Sequence, residues 1–150
     1  MTTYVEARDS LVTLINTSLS TDYPALEVIY ENTIKVDMNS VSDMLVLISI
    51  DFLGARQATI ETRPHSRVLG EVTFRLIFKD GSGTRVALQL FDYLTTLFNS
   101  KQIGGVTTRV PSPGKKQIID EWSSYDLFVP FIYDSTSSSL QLIYLCTTIA

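Results

Sequence analysis

The chain has 150 residues, 45% of them hydrophobic and 19% charged, with a mean hydropathy of +0.17 and a net charge of −4. That is enough sequence for one domain with a real core and too few charges for a disordered chain. One cysteine, Cys146, excludes an internal disulfide, and one histidine, His65, leaves no His/Cys cluster for a transition metal.

In chain order, residues 3–19 predict an amphipathic helix, with Val5, Leu11, Val12, Ile15 and Leu19 near one stripe. The N-terminal MTTYVEARDS has no basic segment followed by an apolar run, so no signal peptide is expected. STDYP ends the helix. ALEVIYEN then alternates as a strand, with Leu26, Val28 and Tyr30 on one face. NTIKVDMNSVSD is polar and reads as loop. MLVLISIDF is apolar on both faces and reads as a central strand; it is too short to span a bilayer, so no membrane partner is expected. Gly54 marks a bend, ARQATIE resumes a strand, and TRPHSRVLG reads as a loop punctuated by Pro64 and Gly70.

EVTFRLIF is a strand in which Val72, Phe74, Leu76 and Phe78 share a face. It leads through Gly81-Ser82-Gly83-Thr84 into a helical pattern of Val86, Ala87, Leu90, Phe91, Leu94, Leu97 and Phe98. Strand, glycine loop and helix are also the parts of a phosphate cradle. A P-loop, however, needs a lysine after its last glycine and wider glycine spacing, and a dinucleotide fingerprint needs a third glycine. Here Arg85 follows Thr84, so the loop is read as a corner. A weak anion site at the helix start beside Arg85 is the alternative. VTTRVPSPGKK predicts a short strand and a turn. In DEWSSYDLFVPFIYD, Tyr125, Leu127, Val129, Phe131 and Tyr133 alternate as one face of a strand, and Pro130 favours an edge or a bulge. STSSS is a polar link before the β-prone LQLIYLCTTI. The expected fold is α+β: a single mixed, mainly antiparallel sheet, with an N-terminal helix and one long amphipathic helix packed on it. The expected division is a domain over residues 1–134 and an extension over residues 135–150.

No catalytic constellation stands out, and neither an enzyme nor a cofactor is expected. There is no G-x-S-x-G, and Asp120-Glu121 would point to opposite faces of a strand. His65, between Arg63 and Arg67, reads as an exposed loop histidine, with a general base as the alternative. Charge is segregated. Residues 1–53 carry Arg8 and Lys35 against eight acids, residues 54–116 carry ten bases against four acids, and residues 117–150 carry four acids and no base. An acidic–basic–acidic chain suits a protein with unlike faces that packs against its own copies. The basic run Arg56, Arg63, Arg67, Arg75, Lys79 and Arg85 leaves a small nucleic-acid-binding domain as a rival, although no nucleic-acid recognition motif accompanies it.

The succession VIYENT, MLVLISIDF, GARQATIE, GEVTFRLIFKDGSGTRVALQLFDYLTTLF, IGGVTTRVPSP and EWSSYDLFVPFIYD resembles the tail terminator family of tailed bacteriophages, the lambda-like kind and its minor tail protein relatives. The resemblance spans roughly residues 1–134. It implies a hexameric ring that caps the tail tube, stops its polymerisation and presents a surface to a head or neck connector, stopper or sheath protein. DNA would pass through the lumen unread. The chain would be assembled in the host cytoplasm and would reside in the virion tail or neck. A head–tail joining protein is the alternative within the same class. The candidate interface residues are Arg56, Arg63, His65, Arg67, Arg75 and Arg85, with Leu142 and Tyr144 in an extension expected to pair with a neighbour's sheet edge. SSSLQLIYLCTTIA and ETRPHSRV depart from the family's commonest pattern.

Overall fold

The computed structural model describes residues 2–31, 44–57, 65–79, 85–119 and 121–136. Helix α1 (Tyr4–Asp22) opens with a capping box: the Thr3 hydroxyl accepts from the Glu6 amide at 3.2 Å, and the Glu6 carboxylate accepts from the Thr3 amide at 2.9 Å. Its buried stripe is Ala7, Leu11, Ile15 and Leu19, a strict four-residue spacing. Val5, expected on that stripe, is 66% exposed, because it lies off the row that meets the sheet.

The strands are β1 (Glu27–Tyr30), β2 (Met44–Gln57), β3 (His65–Lys79), β4 (Gln102–Ile103), β5 (Val106–Thr108), β6 (Ser112–Pro113), β7 (Gln117–Ile119) and β8 (Trp122–Thr136), with helix α2 (Arg85–Phe98) between β3 and β4. They form one eight-stranded sheet in the order β1-β2-β3-β8-β5-β4, with β6 and β7 also paired to β8. Only β1 and β2 run parallel, so the sheet is mixed and mainly antiparallel, as expected. Strand β8 runs to Thr136, just past the expected boundary at residue 134.

Both helices cover one face. Val46 and Ile48 of β2, Val68, Val72, Phe74, Leu76 and Phe78 of β3, and Leu127, Val129, Phe131 and Tyr133 of β8 join Ala87, Leu90, Phe91, Leu94 and Phe98 of α2 and the α1 stripe in one core. Val86 falls outside it and is half exposed. Tyr93 ties the helices together, its hydroxyl lying 2.5 Å from an Asp22 carboxylate oxygen and 3.1 Å from the Ser18 carbonyl. The end of α2 is anchored by the buried Thr108 hydroxyl, which donates to the Phe98 carbonyl and accepts from the Lys101 amide. Gly104, at φ +58°, turns the two-residue β4–β5 hairpin.

Two expectations are corrected. Residues 65–70 are strand, not loop: all of them pair with β8, and residues 66–70 also pair with β2. Strand β8 is interior, not an edge; its register with β3 is unbroken at Pro130, while on the other side the pairing steps by one residue, from Thr108↔Phe131 to Ser112↔Phe128, an irregularity of the kind expected there. The Pro130 carbonyl accepts from the Arg109 amide, so its missing N–H would also face that side, where pairing passes from β5 to β6, and no bond to β3 is lost. The Gly81–Thr84 corner lies outside the described residues, as does Cys146.

Candidate assembly surfaces

Strands β2, β3 and β8 continue beyond the helices as a three-stranded arm. Every residue of β2 from Asp51 to Gln57 is exposed, and β3 contributes His65, Ser66 and Arg67 opposite Thr136, Ser135 and Asp134. At the base of the arm the pairing slips, from Phe52↔Gly70 to Gly54↔Leu69, leaving Leu53 as the extra residue of a bulge. Gly70 lies under the Phe131 ring: a Cβ there would come within 2.2 Å of the ring and 2.8 Å of the Asp51 carbonyl. Phe131, Phe52, Tyr133 and Tyr4 meet edge to face, with centroids 4.8–6.3 Å apart, and pin the arm to the start of α1.

Tyr133 is 2% exposed, and its hydroxyl has no hydrogen-bond partner among the described residues. Burial, with Tyr4 adding to it, pushes its pKa from 10.0 up to about 12. Tyr93 is likewise raised to about 12, by burial and then by its bond to Asp22. Both values lie above that of an unfolded tyrosine, so their contribution to stability is complete below pH 10 and is lost as pH rises toward about 12. Tyr133→Phe removes an unsatisfied buried hydroxyl and is expected to stabilise the fold by about 1 kcal/mol at neutral pH. It should also shrink the alkaline loss. Thermal melts followed by circular dichroism at neutral and alkaline pH check both outcomes.

The sheet face away from the helices is uncovered by any described helix. Across it a cleft of about 480 Å³ is lined by Glu31, Leu47, Ser49, Asp51, Thr73, Arg75, Asp126 and Phe128 among others. Arg75 forks onto Asp126, its direct partner across β3 and β8, at 2.9 and 3.2 Å. The Ser49 hydroxyl lies 2.5 Å from a Glu31 carboxylate oxygen and 3.0 Å from one of Asp51. A single hydroxyl proton thus serves two carboxylates, and the cleft is acidic on one side and ion-paired on the other. Among the described residues its lining contains no histidine, cysteine or lysine.

The expected basic cluster is therefore divided. Arg56, His65 and Arg67 gather on the arm, where Arg56 opposes Arg67 in register and Arg67 pairs with Asp134 at 3.0 Å. Arg75 lies at the middle of the open face, already neutralised. Arg85 opens α2, separated from Lys79 only by residues 80–84, and so belongs to the opposite end of the sheet. From Arg67 to Lys79 the strand runs about 40 Å at ~3.3 Å per residue. The cross-strand carboxylates Asp126 and Asp134 were missed as partners: they sit 51 and 67 residues from their arginines, and only the β3–β8 register brings them together. Arg63, Leu142 and Tyr144 lie outside the described residues.

Among the described residues no helix is long and apolar enough to cross a membrane, and no group of three or more His, Cys, Asp or Glu side chains could hold a metal ion. No family model and no curated protein matches the sequence. One similar solved structure, of a protein whose name carries no function, superposes with a TM-score of 0.60 at 19% identity, covering 84% of this chain and 94% of that one. At that identity the likeness is one of fold.

Proposed function

We propose that the chain is a structural virion protein of the tail terminator type, assembling into a hexameric ring that caps the tail tube, stops its polymerisation and offers a joining surface to the head or neck. The projecting β-arm is the observation that carries this reading. An exposed three-stranded ribbon, with Phe52 and Leu53 at 37% and 66% exposure, is what a subunit presents to a neighbour. The segregated charges support it, because a ring joins one patch to a different patch on the next copy. The family resemblance over residues 1–134 supplies the tail-specific part. Arg56, beside the ion-paired Arg67 on the arm, is the proposed salt-sensitive contact to tube or neck.

Negative-stain microscopy and sedimentation of the purified chain are expected to give closed rings of hexamer mass. A monomer at all concentrations overturns the reading. Added to polymerising tube subunits, the protein should stop growth at a defined length, and Arg56→Glu should weaken that arrest. Rings that leave tube growth untouched would overturn the terminator role and leave the self-assembly.

A further inference from the structure

The outer edge of β2 is paired only over its first part. Strand β1 covers Leu45 to Ile48, and beyond it Ile50–Arg56 has no strand beside it among the described residues. The register decides which main-chain groups face outward. The Ile48 carbonyl accepts from the Glu31 amide on the β1 side. Backbone groups alternate sides along a strand, so those of Ile50 and Phe52 also point out, and after the bulge at Leu53 those of Ala55 do. Such an edge, with Phe52 and Leu53 exposed on it, is a template for another strand.

We propose that this edge receives residues 140–149 of a second copy of the chain as an added strand. Three observations select that occupant. The segment LQLIYLCTTI carries no charged side chain and is rich in apolar and β-branched residues, a composition that is an aggregation hazard unless paired. The chain leaves β8 at Thr136, opposite His65, at the end of the sheet toward which the free edge runs. The lengths are compatible: the edge spans about 23 Å and a ten-residue strand about 33 Å at ~3.3 Å per residue, so about seven of the ten residues can pair along it. Donor and acceptor are different surfaces of one chain, so each copy gives one strand and takes one, the head-to-tail geometry that closes a ring.

The proposal rests on the self-assembly reading, and mixing two variants separates the two. One variant lacks residues 138–150. The other is Ala55→Pro, which replaces an outward N–H and leaves the β2–β3 ladder intact. Each alone is expected to fall from the ring mass to the 16.8 kDa scale of one chain. Mixed, they are expected to form a one-to-one pair and stop, because the truncated chain has only the acceptor and the proline chain only the donor. If the proline variant loses its circular dichroism signature, Leu53→Glu with Ala55→Glu blocks the edge by charge instead. A truncated chain that keeps the ring mass, or variants that fail to pair, would overturn the added strand while leaving self-assembly intact. A monomeric full-length chain would overturn both.

Discussion

Phe74→Ala is expected to destabilise the fold by about 4 kcal/mol, the middle of the range for emptying a fully buried phenylalanine site. Phe74 is 0% exposed at the centre of β3, with its ring 5.4 Å from that of Phe98, which is also fully buried. Both neighbouring strands and both helices are fixed around it, so the space cannot close by a local shift. A typical domain has a total stability of about 5–15 kcal/mol, so this single change removes a large share of it. Chemical denaturation of the variant should show a much lower midpoint with an unchanged slope. A loss below about 1 kcal/mol would mean that the ring is not packed as described.

Gly70→Val is expected to cost about 3 kcal/mol, although valine is the better strand former. The obstacle is geometric. The new Cβ would meet the Phe131 ring on one side and the Asp51 carbonyl on the other, and only the ring can move. If it moves, it disturbs Phe52, whose ring stacks edge-on to Phe131 at 5.9 Å, and with it the bulge that starts the arm. Phe131→Leu in the same chain should recover part of the loss, giving a clearly non-additive double-mutant cycle. Additive losses would show that Gly70 and Phe131 do not share a packing site.

Gly70 also explains why part of the fold was hard to read. As punctuation beside Pro64 it suggests a loop, yet its role is to let a ring lie across an interior strand. Residues 65–67 carry no apolar alternation because the arm has little core to face, and Val68 is the first residue of β3 that is buried there. Where a core exists, the pattern speaks clearly: Phe74, Leu76 and Phe78, the α2 stripe from Ala87 to Phe98, and the alternation of β8 all appear as expected. On α1 the Thr3–Glu6 cap was missed, although T-x-x-E is its sequence signature, and the stripe is set by Ala7 instead of the larger Val5. The candidate surface was legible only as a run of cations. Which of them are spent on partners is decided by strand register, a property of distant residues that no local window contains.

Strand β8 has a consequence for how the molecule comes into being. It is the last of the described strands in the chain, yet it pairs with β3, β5, β6 and β7. Until it emerges during synthesis, β3 has one bare flank along its whole length, from Lys79, which awaits Trp122, to His65, which awaits Thr136. Such long-range closure makes for slow folding and ties completion of the sheet to the synthesis of residues 122–136. A nascent chain that ends before β8 therefore has no finished arm to offer and is kept out of any assembly that the arm builds.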